Sequence, residues 1–192
     1  MRQPLAGKQR IVKEEVMKRT LYVSDLDGTL LNRQSVLSET TIATLNRILQ
    51  EKKALFTIAT ARTPATVVDL MKEVKCSLPF VLMAGAVLWN DSKQNYERVR
   101  AIPSATVDKL LEIYGHYTIQ PFIYRRHGNC LFVYHTFELT ESERQFIEPR
   151  IQSPFKRLVT TESLTTQNPD DTVLVYSMGS YATLLNIANE IR

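Results

Sequence analysis

The stretch Leu21-Tyr22-Val23-Ser24-Asp25-Leu26-Asp27-Gly28-Thr29-Leu30-Leu31 decides how this chain is read. Residues 21–25 have the apolar run of a short buried strand, and the chain then turns through Gly28. Two carboxylates, Asp25 and Asp27, therefore stand two positions apart where a strand runs out. In open α/β sheets, ligands collect just beyond the carboxyl ends of the strands. Acids at i and i+2 can converge on one site there once the chain leaves the strand. An Asp-Gly turn alone would be an ordinary strand ending with solvated acids. The full string Asp-x-Asp-Gly-Thr-Leu, however, arises by chance only about 10⁻⁴ times in a chain of this length. Function is the better reading.

Working outward, Ile42, Leu45, Ile48 and Leu49 mark one face of a helix at about 39–52. A second apolar strand follows at 54–59. Thr63 is placed to cap a helix that begins at Pro64 and turns Val67, Val68, Leu70, Met71 and Val74 inward. A third apolar run extends from Phe80 to Met83. Strand, helix, strand, helix, strand is a right-handed parallel-sheet unit. The pattern then changes. Val87–Trp89 and Tyr96–Val99 predict a hairpin, and Pro103 opens a helix ending at Gly115. Tyr117–Arg126 and Cys130–Tyr134 alternate as strands about the turn His127-Gly128-Asn129. Thr140-Glu141-Ser142-Glu143 is a capping box, residues 172–177 form a further strand, and Ser180 begins a last helix. The expected architecture is α/β: a parallel-sheet core, then an α+β module.

The site suits phosphoryl transfer. An anionic nucleophile and a phosphate monoester repel one another, and a divalent cation between them screens that repulsion. One aspartate can attack phosphorus and form an aspartyl-phosphate, splitting one hard step into two easier ones. The second can protonate the leaving alcohol and later take a proton from water. Gly28 permits the turn and a close backbone approach.

Composition narrows the alternatives. The chain has 192 residues, 44% apolar and 23% charged, as in a globular protein. It contains no apolar run long enough to span a membrane, and no secretory signal is expected. Cys76 and Cys130 lack metal-ligand spacing and read as free thiols, suiting a reducing cytoplasm. Residues 1–19 carry six basic residues against Glu14 and Glu15, a net of +4. The whole chain is also +4, so residues 20–192 are neutral and offer no global field for nucleic acid. Residues 1–16 read either as a basic tail or as a non-native extension ahead of a start at Met17. His116, His127 and His135 show no nucleophile or metal spacing. Tyr124, Arg125 and Arg126 could contact a phosphorylated substrate, but a solvated hairpin face is the stronger expectation.

Residues 21–31, the Thr60-Ala61-Arg62 turn and the change of module near 100 together resemble the haloacid dehalogenase superfamily. Within it they are most similar to Cof-type hydrolases with a type IIB cap, and the similarity runs through residues 17–192. The resemblance implies the first three strands of the core in residues 17–101 and the cap in residues 102–192. It implies an Mg²⁺-dependent phosphatase acting on a small phosphorylated metabolite, with a sugar phosphate as the default. Asp25 would be nucleophile and metal ligand. Asp27 would be the acid/base and would bind the metal through its backbone carbonyl. Thr60 would hold a phosphate oxygen, with Leu26, Gly28, Ala61 and Arg62 around the substrate. Arg62 reads equally well as a substrate contact or a structural ion pair.

Three departures accompany that likeness. Ala61 stands where the family usually has Gly, and Ala84-Gly85 where it commonly has Asn-Gly. No lysine and Gly-Asp-x-x-x-Asp-type motif follows the cap region. Asn168-Pro169-Asp170-Asp171 lies within that region, in the wrong context. The expectation is therefore a truncated chain with little activity of its own. Its first strand would be an exposed edge open to self-association. The competing reading is a non-catalytic remnant or binding module of the same fold.

Overall fold

The computed structural model describes residues 20–51, 54–165 and 171–192. The basic tail, Met17 and the residues Asn168, Pro169 and Asp170 lie outside the described residues.

The first strand, β1 (Leu21–Ser24), pairs in parallel with β2 (Leu55–Ile58), from Leu21 opposite Leu55 to Ser24 opposite Ile58. Helix α1 (Glu39–Glu51) connects them. Ile42, Leu45 and Leu49 pack on the core, but Ile48, expected on the same face, is exposed. Helix α2 (Pro64–Met71) follows β2 and sends Val67 and Met71 fully inward. Thr63 stands at its N-cap position in extended conformation, yet its side chain makes no capping bond. Strand β3 (Phe80–Leu82) runs parallel to β2 but meets it at one bridge, Ala59 with Val81, rather than along a full ladder. It instead pairs antiparallel with β4 (Val87–Asn90), which pairs with β5 (Asn95–Val99) as the predicted hairpin.

Helix α3 (Ser104–Gly115) leads into the second module. There β6 (Phe122–His127) and β7 (Cys130–His135) form the second predicted hairpin, and α4 (Glu141–Ile147) opens with the full capping box of Thr140 and Glu143. One strand escaped the sequence reading: β8 (Lys156–Thr160), parallel to β7. With β9 (Thr172–Tyr176) the sheet order is β8-β7-β6-β9, and α5 (Tyr181–Ile191) closes the chain from its Ser180 cap. This order corrects the solvated face expected for Tyr124 and Arg125. Because β6 is an interior strand, Tyr124 and Arg125 are buried, and the Arg125 guanidinium bonds the Leu164 carbonyl.

The two modules share apolar packing. Trp89 of β4 has no exposed surface and meets Tyr96 and Phe155 edge to face, at 5.0 and 5.1 Å between ring centroids. Phe155 immediately precedes β8, so this cluster joins the first hairpin to the last sheet. By contrast, Leu21, Tyr22 and Val23 of β1 are 50, 58 and 53% exposed. Among the described residues β1 has β2 as its one strand partner. Cys76 and Cys130 are free and half-buried, as expected. Truncating Trp89 to Ala should cost roughly 3–5 kcal/mol of stability, since it empties a filled aromatic site. Urea unfolding of the variant measures this; a loss below about 1 kcal/mol would mean that the cluster does not join the modules.

Candidate active site

The Asp25-Leu26-Asp27 turn is organised by its middle residue. Leu26 is completely buried, whereas Asp25 and Asp27 on either side are exposed. The Leu26 carbonyl accepts from the N–H groups of Thr29, Leu30 and Leu31 at 3.3, 3.0 and 2.9 Å. That wraps the chain tightly after β1, and Gly28 sits at φ +72°, a conformation that side chains rarely adopt. The Leu26 N–H donates to Asp25 Oδ1 at 2.7 Å, fixing that carboxylate and leaving its other oxygen without a partner among the described residues.

Thr60 is buried where β2 runs out, beside β1. Its N–H donates to Val81 and its carbonyl accepts from Ala84. Its hydroxyl accepts from the Arg62 N–H at 3.3 Å, which leaves the hydroxyl proton free for a ligand. Arg62 folds back onto Asp27 as a two-pronged ion pair, with Nε to Oδ2 at 2.8 Å and Nη2 to Oδ1 at 2.7 Å. The hydrogen bonds from Arg62 hold the Asp27 carboxyl below its ordinary range. The floor nearby is strained. Met83 and Ala84 both have φ 54°, a left-handed conformation that costs about 1–2 kcal/mol at a non-glycine residue. Hydrogen bonds from Met83 to the Arg62 carbonyl and from Ala84 to the Thr60 carbonyl hold them there. The position at which Ala84 departs from the Asn-Gly pattern is thus one whose backbone favours Asn or Gly.

A cavity of about 440 Å³ opens beside this turn. Asp27, Ala61, Arg62, Thr63, Met83 and Ala84 form its first wall, and the Thr63 hydroxyl there is buried without a partner among the described residues. Across the space stand Tyr124, Phe146, Arg150, Lys156, Leu174 and Tyr176 of the second module. Of the sequence-predicted residues, Asp27, Ala61 and Arg62 line the cavity; Asp25, Leu26, Gly28 and Thr60 do not. Of the opposite wall, Tyr124 reads in the sequence as a candidate substrate contact and Leu158-Val159 after Lys156 offers a faint strand signal, while the other residues go unread. The histidines are engaged elsewhere: His135 bonds the Phe137 carbonyl and Thr160, and His116 meets Glu190.

The atoms that Asp25 and Asp27 offer a metal ion are oxygens. Magnesium needs one or two carboxylates, completing its shell with water and substrate phosphate. The free Asp25 oxygen and the Asp27 carbonyl, which accepts no hydrogen bond among the described residues, fit that demand. No group of three or more His, Cys, Asp or Glu converges among the described residues.

A family model for haloacid dehalogenase-like hydrolases matches residues 22–186, and the chain belongs to that family. Among solved structures it is similar to a haloacid dehalogenase-like hydrolase from Bacteroides thetaiotaomicron, with TM-score 0.68 and 20% identity, covering 91% of this chain and 63% of that one. A haloacid dehalogenase-like hydrolase from B. subtilis aligns with TM-score 0.64 and 15% identity, over 88% of this chain and 65% of its own. A subclass IIB sugar phosphatase of the same superfamily aligns with TM-score 0.62 and 14% identity, over 89% and 63%. The chain therefore spans less than two thirds of the length of each of these relatives. Comparison with curated proteins returns no match.

Lys156 stands out energetically. It is 3% exposed, and burial, with Arg150 adding to it, pulls its ammonium down to about 8. A lysine whose pKa falls on folding destabilises the folded state wherever it is charged. That cost is full below pH 8 and disappears as pH rises towards 10.5, where the unfolded chain also loses the proton. Lys156→Met should therefore be more stable than the parent at pH 7, by about 2–3 kcal/mol. The gap should close by about pH 10.5. Denaturant titrations of both proteins at the two pH values check this; a variant less stable at pH 7 would contradict it.

Proposed function

We propose that this protein is a magnesium-dependent phosphatase that hydrolyses a small phosphorylated metabolite, such as a sugar phosphate, through an aspartyl-phosphate. The observation that carries this reading is the Asp25-Leu26-Asp27 turn. Its buried leucine turns both acids outward at the carboxyl end of a parallel strand, beside Thr60.

In this reading Asp25 attacks phosphorus with its free carboxylate oxygen, the other being held by the Leu26 N–H. The P–O bond to the alcohol breaks as the Asp25 oxygen bonds to phosphorus. Thr60 donates its hydroxyl proton to a phosphate oxygen. Once the incoming phosphate draws Arg62 away and the Asp27 carboxylate takes up a proton from solvent, Asp27 protonates the leaving alcohol; it then takes a proton from the water that attacks phosphorus as the bond to the Asp25 oxygen breaks. Arg62 keeps Asp27 ionised and oriented before substrate enters. As phosphate arrives, Arg62 exchanges part of that pairing for a phosphate oxygen, which would make it a substrate contact as well as an ion-pair partner. Asp25 and the Asp27 carbonyl would hold magnesium, which supplies charge neutralisation between nucleophile and phosphate.

Residues 102–192 act as the cap over the substrate, following a core portion in residues 17–101. The exposed residues of β1 provide the surface for self-association. Two unpaired cysteines suit a cytoplasmic setting. Among the described residues no helix is long and apolar enough to cross a membrane.

A second reading, a binding module of the same fold without turnover, draws support from the engaged Asp27 carboxylate and the small set of metal-ligating side chains. Catalysis separates the two. In the full-length gene product, hydrolysis of p-nitrophenyl phosphate should require magnesium and fall by about 10³-fold or more in Asp25→Asn. Equal rates in EDTA would overturn the mechanism. Phosphate binding without hydrolysis would favour the module.

A further inference from the structure

The cavity's second wall carries charge that its lining does not balance. Asp27 is the one carboxylate among the lining residues, and Arg62 already engages both of its oxygens. Lys156 and Arg150 line the opposite wall with no carboxylate partner among the described residues. Lys156 is the more telling of the two. It is nine-tenths or more buried, and its Nζ makes no hydrogen bond among the described residues. The Tyr124 ring 5.4 Å away is its nearest aromatic support. Arg125, another buried cation in the same sheet, shows the contrasting structural solution: it bonds the Leu164 carbonyl.

A cation–π contact recovers only part of what burying an ammonium costs. The depressed pKa of Lys156 reflects the remainder, and a neighbouring anion would reverse it. The Arg150 guanidinium carbon sits 4.0 Å from the centre of the Phe146 ring, and Phe146 stacks on Tyr176 with planes 15° apart and centroids at 5.3 Å. The wall therefore combines two cations without a carboxylate partner among the described residues, of which Arg150 also donates to the Phe146 carbonyl, with aromatic and apolar surface from Tyr124, Phe146, Leu174 and Tyr176.

We propose that Lys156, assisted by Arg150, binds a second anionic group on the substrate. The ligand is then a phosphomonoester carrying a carboxylate or second phosphate at the far end of a flat, partly apolar body. The body lies along the aromatic wall, the scissile phosphate emerges at the Asp27 end of the cavity towards Asp25 and Thr60, which lie outside its lining, and the distal anion meets Lys156. This assignment rests on the phosphatase reading for the position of the scissile end. The charge imbalance at the other end is independent of it.

The test compares two esters of similar size, p-nitrophenyl phosphate and 4-carboxyphenyl phosphate, in the full-length protein. The ratio of their kcat/KM values should favour the carboxylate ester by about tenfold or more. It should collapse to about one in Lys156→Gln and recover in Lys156→Arg. The loss should lie mainly in KM, as for a contact made in ground and transition state alike. Thermal unfolding of each variant confirms the fold. A ratio near one in the parent, or the same ratio in Lys156→Gln, overturns the proposal. If neither ester is hydrolysed, the phosphatase reading fails, and calorimetric binding of 4-carboxyphenyl phosphate decides the subsite separately. About tenfold weaker binding in Lys156→Gln upholds it, and equal binding removes it.

Discussion

The burial of Leu26 between two exposed acids is the constraint from which the rest of the site follows. A leucine side chain with no exposed surface cannot rotate outward without giving up about 1.5–3 kcal/mol of apolar burial. Its carbonyl is simultaneously the acceptor for three successive N–H groups. The turn is therefore pinned from inside and tied from above, and Asp25 and Asp27 have no orientation open to them other than away from the core. Parallel pairing with β2 then sets this turn beside Thr60. Neither acid needs to be buried to be held in place, which leaves both in contact with solvent and with whatever binds.

The second module bears on the site through a different kind of contact. Trp89, Tyr96 and Phe155 pack at the junction of the two modules, and Phe155 is the residue just before Lys156. A contact that stabilises the junction thus also positions the lysine on the cavity wall. The first wall carries an internal ion pair between Arg62 and Asp27. The second is aromatic and positively charged. Under the proposed function, the first module would perform the reaction and the second would select what undergoes it.

Much of this was legible in residue order, and the exceptions share a physical cause. Period-two alternation marked β6 and β7, the capping box marked α4, and the Asp-x-Asp-Gly-Thr string marked the candidate site. Strand β8 was missed because Lys156-Arg157 presents two adjacent charges where alternation expects one side chain in and one out. The protein buries the first and exposes the second. Arg125 misled in the same way, since an interior strand can bury an arginine that finds a carbonyl. Ile48 fitted a helical stripe wider than the surface α1 covers. The pairing of Arg62 with Asp27 joins residues 35 positions apart, beyond the reach of local pattern.

The account stands or falls on Asp25 as the group that bonds to phosphorus. Beryllium fluoride forms a stable phosphoryl-like adduct on a reactive aspartate, so a crystal structure of the full-length protein grown with magnesium and beryllium fluoride addresses this directly. The adduct should sit on the Asp25 carboxylate oxygen not held by Leu26, within hydrogen-bond reach of the Thr60 hydroxyl. An adduct on Asp27, or an unmodified Asp25 turned away from the Asp27 carbonyl, would contradict it.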